Sequence, residues 1–354
     1  MADSIPRNLT RPVHVGNVTI GGGAPVVVQS MTCTPTVDLG ATLEQVTKLA
    51  AAGCDVVRVS VPTKEALGSF RDICRESPVP IVADIHFDYR LALGALDAGA
   101  AKLRINPGNI GSWEKVDANI DKAGSMGAAI RIGVNAGSIE KDLLERTDLT
   151  QSEKLVSSAM RFVEHFESRG FENIVLSAKA HSVNTTIDTY RKLSHELPQI
   201  PLHLGVTEAG GIRQGTIKSS IALGSLLAEG IGDTMRVSLT ADPIEEVPVA
   251  WGILSALGLR RRGPEMISCP TCARCQVNLI DIANEVERRL SSCAKPVSVA
   301  VMGCAVNGPG EASDADVGVA CGKGCALLFK QGEIIRKIPE DAIVDELLNE
   351  ISKL

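Results

Sequence analysis

The sequence predicts an α/β fold, a (β/α)8 TIM barrel over residues 1–260 followed by a smaller α+β domain over residues 264–354 that carries a cysteine site. Three observations predict it. Eight short runs rich in β-branched residues recur through the first 240 residues. Successive runs start mostly 20 to 35 residues apart, which is the room a strand–helix–strand unit needs. Residues 260–264 then read Arg-Arg-Arg-Gly-Pro, a basic joint rich in helix breakers.

The eight runs are 26–30, 56–61, 81–85, 102–107, 130–135, 174–179, 201–207 and 234–239. Helical segments lie between them at 41–52, 63–75, 90–98, 152–168 and 182–197, and 243–257 reads as the last barrel helix. Eight such units make a barrel of about 250 residues. An open doubly wound sheet is the rival fold; the count of eight and the lack of a G-x-G-x-x-G after the first strand weigh against it. The wide interval after the fifth run, 136–150, reads as a long loop at the catalytic end. In the second domain, 277–290 reads as a helix and 297–303 and 317–320 as strands. Residues 326–330 and 333–337 form a hairpin around Gln331-Gly332, and 341–354 a closing helix.

At 354 residues, 44% hydrophobic but only 3% aromatic, the chain packs a large core from Val, Ile, Leu and Ala. A net charge of -6 and a pI near 5.6 argue against a general nucleic-acid binder. The N-terminus has no apolar export segment, and no run reaches about eighteen apolar residues, so a soluble cytoplasmic protein is expected. The ten cysteines form no dense framework and are expected to be reduced. Cys33, Cys54, Cys74 and Cys293 are scattered and read as small buried side chains.

The strands carry a second signal. Arg58 and Ser60, Asp84 and His86, Arg104 and Asn106, Arg131 and Asn135, and Arg236 and Ser238 alternate with apolar residues, while Lys179 and Thr207-Glu208 end two further strands. In a barrel, alternate residues face inward and the C-terminal strand ends form the catalytic face. Arg58, Arg104, Arg131, Lys179 and Arg236 stand against Asp84 and Glu208, five cations to two anions. Internal salt bridges account for any one of these arginines; five together point to a ligand carrying several negative charges, since guanidinium forks suit phosphate oxygens. The loops 106–109, 135–138 and 207–211 put small residues at the same mouth, where glycines let backbone N–H groups approach a phosphate. Each loop alone is ordinary turn chemistry. His86, near Asp84, is the histidine best placed for chemistry; His203 also lies on a strand, whereas His14, His165, His181 and His195 read as surface or packing residues.

The second domain contains Cys269-Pro-Thr-Cys272-Ala-Arg-Cys275 and, about thirty residues on, Gly303-Cys304 with Asn307-Gly-Pro-Gly-Glu311. Thiolates at C-x-x-C spacing turn to the same side and bind one metal centre. Cys269, Cys272, Cys275 and Cys304 would make a closed tetrahedral zinc site, giving a zinc-stabilised barrel enzyme acting on a phosphate ester without redox chemistry. The ferredoxin spacing fails, because no fourth cysteine follows Cys275 at the required distance. Cys321 and Cys325 read as part of a turn. Three thiolates with the Glu311 carboxylate would instead hold an iron–sulfur cluster with one labile iron, since oxygen is a harder ligand and is displaced more readily.

These strings together resemble the family of bacterial 4-hydroxy-3-methylbut-2-en-1-yl diphosphate synthases: VQSMT at 28–32, RVSVPT at 58–63, VADIHFDYR at 82–90, LRINPGNIG at 103–111, RIGVNAGS at 131–138, TEAGG at 207–211, EGIGDTMRVSL at 229–239, CPTC at 269–272 and NGPGE at 307–311. The resemblance implies a [4Fe–4S] cluster held by Cys269, Cys272, Cys304 and Glu311, with Cys275 outside the family pattern. It implies a head-to-tail homodimer, ferredoxin or flavodoxin as electron donor, and two-electron reductive opening of 2-C-methyl-D-erythritol 2,4-cyclodiphosphate with loss of water. Arg58, Arg104, Arg131, Lys179 and Arg236, with Asn109, Asn135, Thr207, Ser238 and Asn307, are expected to clamp the diphosphate. Glu208 is the first candidate proton donor, on the expectation of a closed mouth around its carboxyl; Asp84 and His86 are the second. The dimer also follows from reach: the last barrel helix ends at the face opposite the anion site, and a joint of about ten residues spans at most ~35 Å.

Overall fold

The computed structural model describes residues 5–290, 293, 295–304 and 312–354. These divide into two compact units, one ending at Arg260 and the other beginning at Arg261. The first opens with an antiparallel hairpin of β1 (Val13–Val15) and β2 (Val18–Ile20). Next come β3 (Val27–Met31), β4 (Val56–Ser60), β5 (Ile81–Asp84), β6 (Lys102–Ile105), β7 (Ala129–Asn135), β8 (Ile174–Lys179), β9 (His203–Leu204) and β10 (Thr234–Met235). Among the described residues these last eight form one sheet in the order β8-β7-β6-β5-β4-β3-β10-β9, each pair parallel. A parallel bridge between Leu176 and Leu202, with the Leu176 N–H donating to Pro201 O at 2.9 Å, joins the two ends into a barrel.

Strand alternation sorts the side chains. Val57, Val59, Ala83, Leu103, Ile105, Ile130 and Ile132 pack outward under the helices. Val27, Val56, Val82, Ala129 and Val175 point inward at the strand N-termini and pack with Val13, Val15 and Ile20 of the hairpin. The hairpin therefore plugs the bottom of the barrel. The sequence reading missed it because its strands are only three residues long, although V-x-V-Gly-Asn-V-x-I with Gly16 at φ 59° is a two-residue hairpin signal. Two further helices, Trp113–Met126 and Ile212–Ala228, complete the crossovers. The interval 136–150 is not bare loop; it holds a 3₁₀ turn at Ala136–Ser138 and a single helical turn at Lys141–Leu144, and Thr150 with Glu153 then caps the helix Gln151–Ser168. β9 and β10 are shorter than the runs 201–207 and 234–239, since beyond them the ladder thins to single bonds such as Arg236 N–H to Leu204 O at 2.9 Å.

In the second unit β11 (Glu265–Ser268), β12 (Ser298–Met302) and β13 (Val317–Gly322) run parallel, and β14 (Cys325–Lys330) and β15 (Glu333–Pro339) continue the sheet antiparallel. Gln331 at φ 49° and Gly332 at φ 79° make the expected tight turn, and Gly322 pairs with Cys325 across the other one, which places Cys321 and Cys325 in a hairpin. Strand β11 was not foreseen; four residues before a cysteine motif carry too little periodicity. The helices Leu279–Leu290 and Ile343–Ser352 cover one sheet face through Leu279, Val286, Leu347 and Ile351. Among the described residues no helix is long and apolar enough to cross a membrane.

Candidate functional site: a cationic barrel mouth and a cysteine pocket

Inward residues toward the C-terminal ends of the barrel strands are charged, whereas those below are mostly small and apolar, with Lys102 below Arg104 the exception. Asp84 on β5 is buried and central. Its Oδ1 accepts from Arg104 Nη1 at 3.3 Å, its Oδ2 lies 3.8 Å from Arg58 Nε, and His86 Nε2 sits 3.3 Å from Oδ2. Register explains the grouping, since Asp84 pairs with Arg104 and Arg104 with Arg131 on neighbouring parallel strands. Arg131 Nη1 donates to Ser177 Oγ at 2.5 Å, and Arg58 Nη2 to Met31 Sδ at 2.8 Å. Arg236 is held by Glu246 through Nε (3.2 Å) and Nη2 (3.1 Å), and Ser30 Oγ donates to the same carboxylate at 2.7 Å. Glu246 opens the last barrel helix, Glu246–Ala256, and the sequence reading did not single it out.

Charge balance at this mouth is strongly positive. Burial lowers Arg58 to about 10, with Asp84 opposing the shift. Lys179 and Arg131 are pushed well below their ordinary values, by burial first and then by neighbouring guanidiniums. Burial opposes ionisation of Asp84, but Arg58, His86 and Arg104 outweigh it and hold the carboxyl well below the usual carboxylate range. Asp84 is thus a buried anion held between two arginines, and His86 beside it is 48% exposed. Buried cations that lower one another's proton affinity are what a bound polyanion would relieve.

Two glycines make the room. A Cβ on Gly133 would lie 2.8 Å from Arg104 Nε, and one on Gly205 would lie 2.5 Å from Lys179 Nζ and 3.0 Å from the Arg236 carbonyl. Gly205→Ala is therefore expected to displace the Lys179 head and raise KM for an anionic substrate by about tenfold, about 1.4 kcal/mol, with kcat less affected. Steady-state kinetics check this.

Above the cations a cleft of about 560 Å³ is lined by Asn106, Asn109, Asn135, Gln151, His181, Thr207 and Glu208. Asn109 comes from the single helical turn Pro107–Ile110, and the Asn135 amide, oriented with its oxygen toward Arg104, accepts from Nη2 at 3.2 Å. Glu208 is exposed at the rim, with φ at 55°. The barrel residues do not provide the enclosure expected around it. Ser238 is half-buried beyond β10. His181, read from sequence as surface or packing, belongs to the cleft.

In the second unit, Cys269 follows β11 and Cys304 follows the adjacent parallel β12, so strand pairing brings the two cysteines to one sheet end. The Gly303 N–H donates to Cys269 Sγ at 3.2 Å, and a Cβ on Gly303 would meet Cys275 Sγ at 2.7 Å. Cys269, Cys272, Cys275, Cys304 and Arg274 line a pocket of about 90 Å³. The Cys272 thiol is lowered by hydrogen bonds from the backbone and then the side chain of Arg274, which favours the thiolate a metal needs. Cys275 Sγ donates to Val277 O at 3.3 Å. Among the described residues no three His, Cys, Asp or Glu side chains converge closely enough for a single metal ion. Glu311 and Asn307 lie outside the described residues. Of the scattered cysteines, Cys54 is buried and raised to about 12 by that burial; Cys33, expected to be buried, is exposed beside Gln45.

Comparison with known proteins is decisive here. The family model described as the GcpE TIM-barrel domain matches residues 10–251, and the GcpE C-terminal domain matches residues 265–353. The chain belongs to the GcpE family. Its relatives in that family include the 4-hydroxy-3-methylbut-2-en-1-yl diphosphate synthase (flavodoxin) of Clostridium acetobutylicum, 55% identical over 98% of this chain and 99% of that protein. The enzyme of the same name from Geobacter sulfurreducens is 52% identical over 98% of each chain. Solved structures of dihydropteroate synthases from Coxiella burnetii and Vibrio fischeri superpose with a TM-score of 0.50 each, at 12% and 14% identity, covering 70% of this chain and 98% and 99% of theirs. That likeness shows the barrel fold alone. As a GcpE protein the chain is an iron–sulfur oxidoreductase, and the zinc-stabilised, non-redox reading is not favoured.

Proposed function

We propose that this GcpE chain opens 2-C-methyl-D-erythritol 2,4-cyclodiphosphate reductively, with two electrons and loss of water, to 4-hydroxy-3-methylbut-2-enyl diphosphate. The observation that carries it is the 55% identity to a synthase of that product along 98% of the chain. The excess of buried cations at the barrel mouth supports it independently, because a cyclic diphosphate supplies the anions the mouth lacks. The test is anaerobic turnover of the cyclodiphosphate with reduced flavodoxin. Reductive ring opening with iron and sulfide on the protein is the expected result; a zinc protein active on the ester in air would overturn it.

The cysteine pocket fits the group the family implies, since thiolate sulfurs suit iron–sulfur clusters better than hard cations. Cys269, Cys272, Cys304 and Glu311 would hold a [4Fe–4S] cluster, which would supply electrons one at a time when bound. The chain's own residues do the rest. Arg58, Arg104, Arg131, Lys179 and Arg236 clamp the diphosphate and stabilise the charge released as the ring opens. Asp84 fixes the spacing of Arg58 and Arg104. Asn109, Asn135, Thr207 and Ser238 donate hydrogen bonds from the rim; Asn307, the remaining candidate for the clamp, lies outside the described residues. Glu208 at the rim delivers the proton to the departing hydroxyl, with His86 as the alternative. Flavodoxin, which the relatives' names carry, is the electron donor, and ferredoxin is the second choice.

The working unit is a head-to-tail homodimer in the cytoplasm, one subunit's cluster domain serving its partner's barrel. Arg260, the last residue of the barrel unit, supports this reading. It stacks 4.4 Å from the Trp251 ring and donates to Val26 O and Asp55 Oδ2, which precede β3 and β4 at the plugged end of the barrel. The joint therefore leaves from the end opposite the anion site. Mixing inactive Arg131→Met protein with inactive Cys304→Ser protein should restore activity on subunit exchange, because one mixed pairing has both parts intact. Activity that never recovers despite exchange, shown by subunit labelling, would count against the dimer.

A further inference from the structure

Cys275 lies outside the proposed ligand set, yet it lines the cysteine pocket together with Cys269, Cys272 and Cys304. Local contacts put it there. The Cys275 N–H donates to Cys272 O at 2.9 Å, which closes a tight turn over 272–275. The next residue, Gln276, donates its N–H to Gly303 O at 3.3 Å, so the turn is tied to the residue before Cys304. Gly303 in turn touches two sulfurs. Its N–H donates to Cys269 Sγ at 3.2 Å, and Cys275 Sγ fills the space of its missing Cβ, 2.7 Å from where that atom would stand.

Spacing along the chain agrees with these contacts. Cys269, Cys272 and Cys275 read C-x-x-C-x-x-C. In bacterial ferredoxins that run supplies three ligands to one [4Fe–4S] cluster, and the fourth comes from elsewhere in the chain. Cys304, just past the end of the neighbouring strand, is the remote fourth thiol here. Among the described residues no three such side chains converge closely enough for a single metal ion. Tetrahedral thiolates on one ion stand about 4 Å apart. A four-iron cluster gives each thiolate an iron of its own, so it takes thiols that lie farther apart. The pocket thus carries an all-cysteine set, one thiol more than ligation with Glu311 uses.

The contact that parks Cys275 is weak. The residue is half-buried and its Sγ donates to Val277 O at 3.3 Å, and a thiol is a poor donor. A carboxylate is already ionised at neutral pH, whereas a thiol must release its proton before it ligates, which favours Glu311 while that residue is in place. Once the carboxylate has left, sulfur is the softer and better ligand for the iron.

We propose that Cys275 is a reserve ligand for the cluster. When Glu311 leaves its iron, the iron–oxygen bond is replaced by a bond to Cys275 Sγ, and the thiol proton passes to water. No electron is transferred. The result is an all-cysteine cluster without an exchangeable corner, closed to substrate and slow to lose iron. The inference rests on the proposed ligation by Cys269, Cys272, Cys304 and Glu311, and adds a fifth group whose role is apart from turnover.

The test uses the full-length protein, purified and loaded with cluster in the absence of oxygen, as wild type, Glu311→Ala, Cys275→Ser and the double variant. Iron and acid-labile sulfide are measured per chain, and free thiols are labelled with iodoacetamide and mapped by mass spectrometry. Glu311→Ala is expected to keep about four irons per chain and to protect Cys275 from the label, which reaches it in wild type. The double variant is expected to lose about one iron per chain and to show the electron paramagnetic resonance signal of a three-iron cluster. Equal labelling of Cys275 in wild type and Glu311→Ala would overturn the proposal, and so would equal iron in Glu311→Ala and the double variant. Should Glu311→Ala fail to fold, a chelator decides: the first iron should leave Cys275→Ser several-fold faster than wild type, and equal rates would overturn the reserve role. Zinc in place of iron and sulfide in wild type would instead overturn the cluster reading itself.

Discussion

Cys304→Ser is expected to lose turnover by roughly 1,000-fold or more, about 4 kcal/mol of activation free energy, together with most of its iron and sulfide. Cys304 is buried just past the end of β12, and Cys269 follows the adjacent β11, so strand pairing fixes both thiols at one sheet end. A serine oxygen is a poorer ligand for iron–sulfur centres than a thiolate. Cys275→Ser provides the contrast. Its sulfur lines the same pocket but already donates to Val277 O, and it lies outside the proposed ligand set. That variant should keep its iron and most of its activity. A zinc site of four cysteines predicts instead that both substitutions release the metal. Iron, sulfide and zinc analysis of the two anaerobically purified variants separates the outcomes.

Asp84→Asn is expected to destabilise the barrel by about 3–5 kcal/mol, the scale for removing one partner of a buried ion pair. It leaves Arg58 and Arg104 buried beside each other without their shared anion. Substrate or inorganic pyrophosphate should restore part of the loss, because the ligand brings the missing negative charge. The pH dependence has a defined sign. Asp84 is depressed in the folded state, so its stabilisation is present above the unfolded carboxylate value of about 3.9 and is lost as pH falls toward the folded value. The gap in stability between wild type and variant should stay constant at neutral pH and narrow below about pH 4. Denaturant unfolding at several pH values measures it. A variant as stable as wild type without ligand would show that Arg58 and Arg104 do not rely on Asp84.

Much of the site was legible because strand periodicity is two. Arg58, Asp84, Arg104, Arg131 and Lys179 fall on alternate positions of apolar strands, and the structure does turn them inward together. The same periodicity could have found Lys102, two residues before Arg104, and His203. Neither stands out locally, because a lysine at the start of a strand and a lone strand histidine have ordinary explanations. Glu246 and Ser30 gave no local signal. Their pairing with Arg236 joins residues 10 and 216 positions apart, counted from Arg236 to Glu246 and from Ser30 to Glu246, and only barrel closure makes it. Gly133 and Gly205 read as ordinary strand glycines until the side chains filling their missing Cβ volume are seen.

By itself the sequence determined the barrel, the cysteine-bearing second unit and the family, since these rest on local periodicity, breaker residues and contiguous strings. What only the tertiary structure decided was the pairing of charges across strands. It made Asp84 a buried partner of two arginines, left Glu208 exposed at the rim, brought His181 into the cleft, plugged the barrel with a hairpin of two three-residue strands and buried Lys102 below Arg104. Each of these depends on which strand lies beside which and at what register. Register is fixed by the summed packing of the whole sheet, not by any short stretch of residues.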